Sequence, residues 1–224
     1  METLVESVLE AEKDGIRRRF VKYTRQAFLC LPRMVCPRVL DVGCGSGVPT
    51  LELAKLSGGE ITGIDVDQSQ LNRLNQRIQE EGLSDRVFVK NCSLFDINFP
   101  DETFDILWAE GSLHIIGFVR GLRELRRLLK PRGFLVVHDG VTDVSAYLGG
   151  VPELGYVLVN SFMLPDNVWW TDYFEPLEQL IKEWREKVKS VEGLRILERY
   201  QNEANMFKLN PEENVSAFYI FQKK

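Results

Sequence analysis

The sequence predicts an α/β fold, in which a mostly parallel sheet is covered by helices. The first observation is the order strand, glycine loop, helix over residues 38–54, where Val39, Leu40 and Val42 indicate a buried strand. The second is that strand-like stretches and amphipathic, helix-like stretches keep alternating up to residue 139. The third is the length of 224 residues, which is enough for one domain with a full core.

The composition argues against several classes of function. A net charge of −5 disfavours a nucleic-acid partner, because such a partner needs a positive protein surface. No apolar run approaches the ~20 residues of a membrane span and no signal-peptide pattern is present, so we expect a cytoplasmic protein with no membrane partner. With two histidines and no C-x-x-C spacing, we expect no metal site. The cysteines, which we expect to be reduced thiols, are Cys30, Cys36, Cys44 and Cys92.

The positions of apolar and turn-forming residues place the other elements. Further strands are predicted at residues 60–65, 86–90, 104–108, 134–137, 156–164 and 216–221. Further helices are predicted at residues 67–82, 118–129, 177–188 and 194–207, with residues 130–133 ending the helix before them and residues 165–174 forming an aromatic-rich loop. The carboxyl ends of parallel strands bind ligands in such sheets, so we expect the site at that edge.

The glycine loop after the first predicted strand is the most specific motif. Glycine at alternate positions lets a ligand approach the main chain, and free N–H groups point from the start of the next helix. A dinucleotide fingerprint requires a third glycine at the position of Val48, and here that glycine comes one residue earlier, at Gly47. Asp41, at the entry to the loop, suits a ligand with a positive amine better than a pyrophosphate.

Three stretches resemble motifs of the class I S-adenosylmethionine-dependent methyltransferases that act on small molecules. Residues 41–47 resemble the first motif, residues 100–108 resemble the motif at the fourth strand, and residues 129–135 resemble the Leu-Lys-Pro-x-Gly-x-Leu hallmark. The resemblance implies a Rossmann-like sheet of seven strands, mostly parallel with an antiparallel last strand, and helices on both faces. It implies S-adenosylmethionine as cofactor and S-adenosylhomocysteine as product.

The resemblance also implies which residues hold the donor. Asp41 and the backbone of Gly43, Cys44 and Gly45 would hold the methionine part. Asp65 ends the second predicted strand, where nucleoside-binding α/β domains place an acid that accepts hydrogen bonds from the ribose hydroxyls.

The adenine contacts follow the same pattern with one departure. Val66 would pack on the adenine face, and Gln70 would reach the ribose. The family expects an acid at the position of Ser93, whose hydroxyl meets the adenine amine less strongly than a carboxylate does. Asp96 is the nearest acid that might substitute, and the backbone N–H of Leu94 would bind adenine N1.

Polar residues of the loop after residue 108 are the candidates for the methyl acceptor side. Glu110 and His114 follow the fourth predicted strand, and a histidine there accepts a proton or orients the acceptor. Glu110 is also predicted to contact the cofactor. Asp139 is a further candidate at the end of the fifth strand, and His138 is equally consistent with a buried structural role. Tyr173 is our third catalytic candidate.

Two aromatic segments have a structural and a functional interpretation. Tyr23 lies in a segment that resembles one near the cofactor in small-molecule methyltransferases, yet it also fits the core face of an amphipathic helix. Trp169, Trp170 and Tyr173 are either packing anchors or a lid, since aromatic faces attract a cation such as the sulfonium.

We therefore predict one methyltransferase domain over residues 1–224. It consists of an N-terminal helical flap (1–30), a cofactor-binding core (31–139) and a C-terminal part (140–224) with a helical insertion at about 167–212. The predicted reaction is methyl transfer to nitrogen, oxygen or sulfur of a small-molecule acceptor. Two alternatives stay open, a nucleotide-dependent oxidoreductase and a non-catalytic S-adenosylmethionine-binding protein, and the oligomeric state is not predicted.

Overall fold

The computed structural model describes residues 2–141, 146–209 and 215–224. The chain forms two compact units. The sheet unit consists of residues 22–164 and 216–224, and the helical unit consists of residues 1–21 and 165–215. Residues 1–21 of the predicted flap thus share a unit with the predicted insertion, whose last residues, 210–212, lie outside the described part. The division into one domain with flap and insertion stays a prediction.

The sheet unit contains one seven-stranded sheet. Its order is β3-β2-β1-β4-β5-β7-β6, and β7 runs antiparallel to both of its neighbours while the other pairs are parallel. The prediction of a mostly parallel sheet with an antiparallel last strand is confirmed. The strands are β1 (Arg38–Val42), β2 (Glu60–Asp65), β3 (Val87–Asn91), β4 (Phe104–Glu110), β5 (Leu129–Gly140), β6 (Tyr156–Met163) and β7 (Ser216–Lys223).

Helices connect the parallel strands, and short 3₁₀ turns accompany them. Burial on two faces explains the continuous apolar runs of the central strands, since Leu40, Val42, Leu107 and Leu135 are fully buried. The helices are α2 (Val21–Leu29), α3 (Val48–Ser57), α4 (Gln68–Glu80) and α5 (Phe118–Leu125), with 3₁₀ turns at Leu113–Ile115, Arg126–Leu128 and Leu148–Leu154.

Residues 130–133 differ from the prediction that they end a helix. The helix α5 ends at Leu125, and β5 already begins at Leu129, which pairs with Phe104. The next paired residue after Leu129 is Phe134, so the residues between them leave the ladder. Pro131 has no N–H to donate and Arg132 adopts a φ of 64°, and both features are incompatible with regular strand pairing.

The helical unit contains α1 (Glu2–Arg17), α6 (Glu175–Arg185) and α7 (Val191–Leu209). The aromatic segment predicted as a loop instead continues into a π-helical turn, Trp170–Phe174, directly before α6. Pro176 explains the irregular turn, because it has no N–H to bond an earlier carbonyl in the α pattern. The core of this unit is apolar and aromatic, and its fully or nearly fully buried members include Leu9, Leu177, Ile181, Leu197 and Ala204.

Within the described ranges, we find no helix that combines the length and the apolar character needed to cross a membrane.

Candidate functional site

The glycine loop lies between β1 and α3 at the carboxyl edge of the sheet. Gly43 adopts a φ of 75°, and a Cβ there would lie 2.5 Å from the Cβ of Ser112, so the backbone approaches the β4 loop too closely for a side chain. Gly45 adopts a φ of 52°, yet no described atom lies within 4 Å of the position of its Cβ. One glycine is therefore required by packing inside the protein, while the Cα of the other faces open space.

Asp65 joins the end of β2 to the glycine loop. Its Oδ2 accepts a hydrogen bond from the backbone N–H of Gly45 at 2.8 Å, and its Oδ1 accepts one from the N–H of Asp67 at 2.9 Å. Asp67 in turn caps α4, accepting from the backbone N–H of Ser69 and Gln70. These bonds fix the half-buried Asp65 carboxylate beside the loop, at the position predicted for ribose recognition.

Asp41 is buried beneath the loop. Asp41 is only 2% exposed to solvent, and its Oδ2 accepts a hydrogen bond from the hydroxyl of Thr50 at 2.5 Å. Burial raises the pKa of Asp41 to about 7, and the neighbouring charge of Asp65 adds to that rise, while the Thr50 bond opposes it. The hydrogen-bond donor to this carboxyl is thus a neutral hydroxyl.

Glu110 ends β4 and is held by two donors. The Oε1 of Glu110 accepts a hydrogen bond from Trp108 Nε1 at 2.7 Å and one from Thr24 Oγ1 at 2.9 Å. Burial raises the pKa of Glu110 to about 7; the bonds from Trp108 and Thr24 oppose this, and the charge of Asp41 contributes to it. The carboxyls of Glu110 and Asp41, at the ends of the paired strands β4 and β1, are therefore close enough to influence each other's protonation.

The second pair of candidates lies at the next strand. His114 is exposed, and its Nδ1 lies 3.8 Å from the Oδ1 of the buried Asp139. His138 is 7% exposed, stacks on Phe218 and lies 3.0 Å from the hydroxyl of Ser216 through its Nε2. Burial lowers the pKa of His138 to about 4, so it is a neutral ring at physiological pH. This geometry favours the structural interpretation of His138.

The residues predicted for adenine surround an exposed surface at the ends of β2 and β3. Val66 is 64% exposed and Leu94 is buried at 9%. The hydroxyl of Ser93 accepts a hydrogen bond from the N–H of Phe95 at 3.2 Å, as in a local turn. The carbonyl of the Gln70 side chain accepts one from Arg73 at 2.5 Å. Asp96 is exposed, and its role as a substitute for the missing acid stays a prediction.

The two predicted tyrosines fall in different units. Tyr23 is 8% exposed on α2 of the sheet unit, with the Lys22 ammonium 5.0 Å from its ring centre. Tyr173 is 4% exposed in the helical unit, where its hydroxyl donates to Glu203 Oε1 at 2.7 Å. Burial raises the pKa of Tyr173. The packing of Tyr173 with Phe20 and Trp169 matches the interpretation as an anchor, and its catalytic role stays a prediction.

Three residues of this site were missed in the sequence. Thr24, Thr50 and Trp108 all donate hydrogen bonds to a predicted acid. The only signal for Thr24 was its place beside Tyr23, since a contact across 86 positions leaves no local pattern. Among the residues with described side chains, no group of three or more His, Cys, Asp or Glu could hold a metal ion.

The sequence around this site matches a known family of domains. Residues 39–133, which include the glycine loop and β4, match a family model described as a methyltransferase domain. Sterol 24-C-methyltransferase ERG6B of Gibberella zeae is 36% identical over 109 residues, 48% of this chain and 29% of that protein. The 27-O-demethylrifamycin SV methyltransferase of Amycolatopsis mediterranei is 34% identical over 110 residues, 49% of this chain and 40% of that protein. The matches thus span less than half the length of these curated relatives.

Comparison of folds extends the likeness beyond that segment. The crystal structure of a SAM-dependent methyltransferase from Geobacter sulfurreducens in complex with S-adenosyl-L-homocysteine has a TM-score of 0.71 at 17% identity. The structural alignment covers 91% of this chain and 91% of the Geobacter sulfurreducens protein. Residues 39–133 therefore match a methyltransferase domain, and the chain as a whole has the fold of the Geobacter sulfurreducens methyltransferase.

Proposed function

We propose that this protein transfers the methyl group of S-adenosylmethionine to a nucleophilic nitrogen, oxygen or sulfur of a small molecule. The observation that carries the proposal is the glycine loop, in which Asp65 holds the Gly45 N–H while the Cα of Gly45 faces open space. The matched relatives are named for methyl transfer to a sterol and to a rifamycin, which supports a small-molecule acceptor here.

The residues of the site fit the proposed donor. S-adenosylmethionine carries an ammonium and a sulfonium, and the acids Asp41 and Glu110 lie at this edge with neutral hydrogen-bond donors as partners. Asp65 would accept the ribose hydroxyls, and the exposed Val66 would cover one adenine face. Ser93 would receive the adenine amine through its hydroxyl, alongside the N–H of Leu94.

The chemistry required of the chain is mainly alignment. The donor is already activated when it binds, so the protein has to place acceptor and methyl group in line, which supplies roughly 7–11 kcal/mol of barrier reduction in favourable cases. A protonated acceptor also needs a base. Glu110, with a pKa raised to about 7, is suited to take that proton near neutral pH, and His114 beside Asp139 is the second candidate.

Direct binding tests the donor half of this proposal. Calorimetry with S-adenosylmethionine and S-adenosylhomocysteine should show one site with micromolar or tighter affinity, and Asp65→Asn should weaken the binding of both ligands because the ribose hydroxyls lose one of two acceptor oxygens and the negative charge. Asp85→Asn, an exposed acid between α4 and β3, is the matched control and should bind like the unmodified protein. Absence of heat with both ligands well above micromolar concentration would overturn the proposal.

Methyl transfer itself needs a second measurement. Protein incubated with methyl-labelled S-adenosylmethionine and fractionated metabolite pools should transfer label to a small-molecule fraction and not to nucleic acid. Tight binding without any labelled fraction would favour a non-catalytic binder instead. We further propose a cytoplasmic location, supported by four cysteines that are all free thiols in the structure.

A further inference from the structure

The Glu110 side chain is held from two directions. Trp108 lies two residues earlier on the same strand, so the two side chains share a face of the sheet and their bond is local. Thr24 lies on α2, and its hydroxyl reaches Glu110 from outside the sheet. Thr24 is 1% exposed and Trp108 is fully buried, so water does not compete for either bond. The Thr24 bond is thus a tether between α2 and the ligand edge of β4.

Among the described residues, the groups that shift the pKa of Glu110 include no positively charged side chain. Both bonds reach Oε1, and among the described residues no donor contacts Oε2. Asp41 on β1 adds negative charge, and His138, the neighbour of Glu110 in the β5 register, is neutral. On α2, the guanidinium of Arg25 is bonded to Glu52 of α3. A buried carboxylate is stable only with a compensating positive charge, and here the side chains bonded to it supply none.

From this arrangement we infer that Thr24 is a positioning residue of the donor site, whose hydroxyl fixes Glu110 Oε1 so that Oε2 receives the positive charge of the methyl donor. The inference rests on the proposed function, because it needs a cationic ligand at this edge. It assigns α2 a part in binding that the methyltransferase-domain match over residues 39–133 does not cover.

The role of the hydroxyl has a specific electrostatic signature. A hydrogen bond from Thr24 stabilises the charged form of Glu110 and so opposes the rise of its pKa. Removing the hydroxyl should leave the carboxyl neutral up to a higher pH, and a neutral carboxyl attracts a cation less. The loss should therefore be largest at mildly acidic pH and shrink as the pH rises, whereas a purely structural defect would not move with pH in this way.

The test compares Thr24→Val, which keeps the shape and removes the hydroxyl, with Thr24→Ser, which keeps the hydroxyl. Calorimetric affinity for S-adenosylmethionine is measured from pH 5.5 to 8.0. We expect Thr24→Val to bind about tenfold more weakly at pH 7 and to have its pH midpoint moved upward, and Thr24→Ser to restore both. Thr103→Val is the control, since the Thr103 hydroxyl bonds the carbonyl of Pro100 near the other end of β4.

The outcomes separate the inference from the function on which it rests. Unmodified protein that binds the donor, together with Thr24→Val of unchanged affinity and midpoint, overturns the inference and leaves the proposed function intact. Unmodified protein that fails to bind overturns both. Thermal unfolding checks that each variant is folded, and Thr24→Ala gives a second hydroxyl-free variant with the same expected pH shift if Thr24→Val does not fold.

Discussion

Two acids of the helical unit and two acids at the ligand edge of the sheet unit are partnered differently. In the helical unit, Glu203 lies 2.6 Å from the ammonium of Lys13, and Glu10 lies 2.5 Å from the guanidinium of Arg199. In the sheet unit, Asp41 is bonded by a threonine hydroxyl, and Glu110 by a threonine hydroxyl and an indole N–H. The first unit pairs each of these acids with a base, and the second leaves its two acids with neutral donors.

The difference shows in the direction of the pKa shifts. Burial alone would raise the pKa of Glu203, but the charge of Lys13 and the bonds from Lys13 and Tyr173 outweigh it and lower that pKa. Burial dominates for Asp41 and Glu110, whose pKa values rise to about 7. An acid with its own base contributes to the fold, whereas an acid without one is costly to ionise until a positive ligand arrives.

The largest effect is expected in the helical unit. Lys13→Met should leave the Glu203 carboxylate without its ammonium and lower the free energy of unfolding by about 2–3 kcal/mol, below the range for fully buried pairs because Glu203 is 37% exposed. Urea unfolding followed by tryptophan fluorescence measures this. Arg195→Met, which breaks the exposed Arg195–Glu192 pair, is the control and should cost less than about 0.5 kcal/mol. Equal losses in both variants would contradict a structural role for the buried pair.

The second predicted effect concerns an acid of the sheet unit, whose replacement should lower ligand affinity and not stability. Asp41→Asn keeps an acceptor for Thr50 but removes the charge, so the affinity for S-adenosylmethionine should fall about tenfold, which is ~1.4 kcal/mol, while the unfolding midpoint stays equal or rises. Asp105→Asn is the matched control. Its carboxyl bonds the Lys130 ammonium at 2.9 Å at the other end of β4, so it should lose stability and keep the affinity. An Asp41→Asn variant that is less stable but binds S-adenosylmethionine normally would contradict a role of Asp41 in ligand binding.

The features of the site that can be predicted from the sequence are those that depend on residues close together in the chain. The spacing of Gly43, Gly45 and Gly47 after Asp41 predicts the loop, and the mostly parallel sheet of seven strands with an antiparallel last strand follows from the resemblance of those motifs. The partners of the acids were not predictable, because Thr24 meets Glu110 across 86 positions and Lys13 meets Glu203 across 190. Pairing over such distances is decided by how helices pack, and neither threonine nor lysine has a sequence pattern that marks it.

The π turn at Trp170–Phe174 and the departure at residues 130–133 were missed for a related reason. The segment around Pro131 was interpreted as the end of a helix, and the aromatic segment before Pro176 was interpreted as a loop. Pro176 instead lies in the first turn of α6, and Pro131 lies in a segment that leaves the ladder between two paired parts of β5. A proline lacks a backbone N–H, and the hydrogen bond that is therefore missing can lie within an element as well as at its end.

The smallest effect is the pH dependence of the ligand-free protein. Asp41 and Glu110 hold protons more tightly when folded than when unfolded, so the stability they contribute is present below about pH 4 and is lost as the pH rises through about 7. Glu203 has the opposite sign, and its contribution is lost only as the pH falls below its ordinary range. Between pH 5.5 and 8 the sheet acids should therefore lower the free energy of unfolding, and the unfolding midpoint should fall as the pH rises.

Thermal unfolding at matched ionic strength measures that slope, and the double variant Asp41→Asn/Glu110→Gln should flatten it. Saturating S-adenosylmethionine should also reduce the slope, because the positive ligand stabilises the ionised carboxyls as the pH rises. Lys13→Met should lower the midpoint of the unfolding transition across this range, because the Glu203 carboxylate loses its ammonium partner. A slope that survives in the double variant would mean that other groups titrate in this range and that the two sheet acids are ionised before the ligand binds.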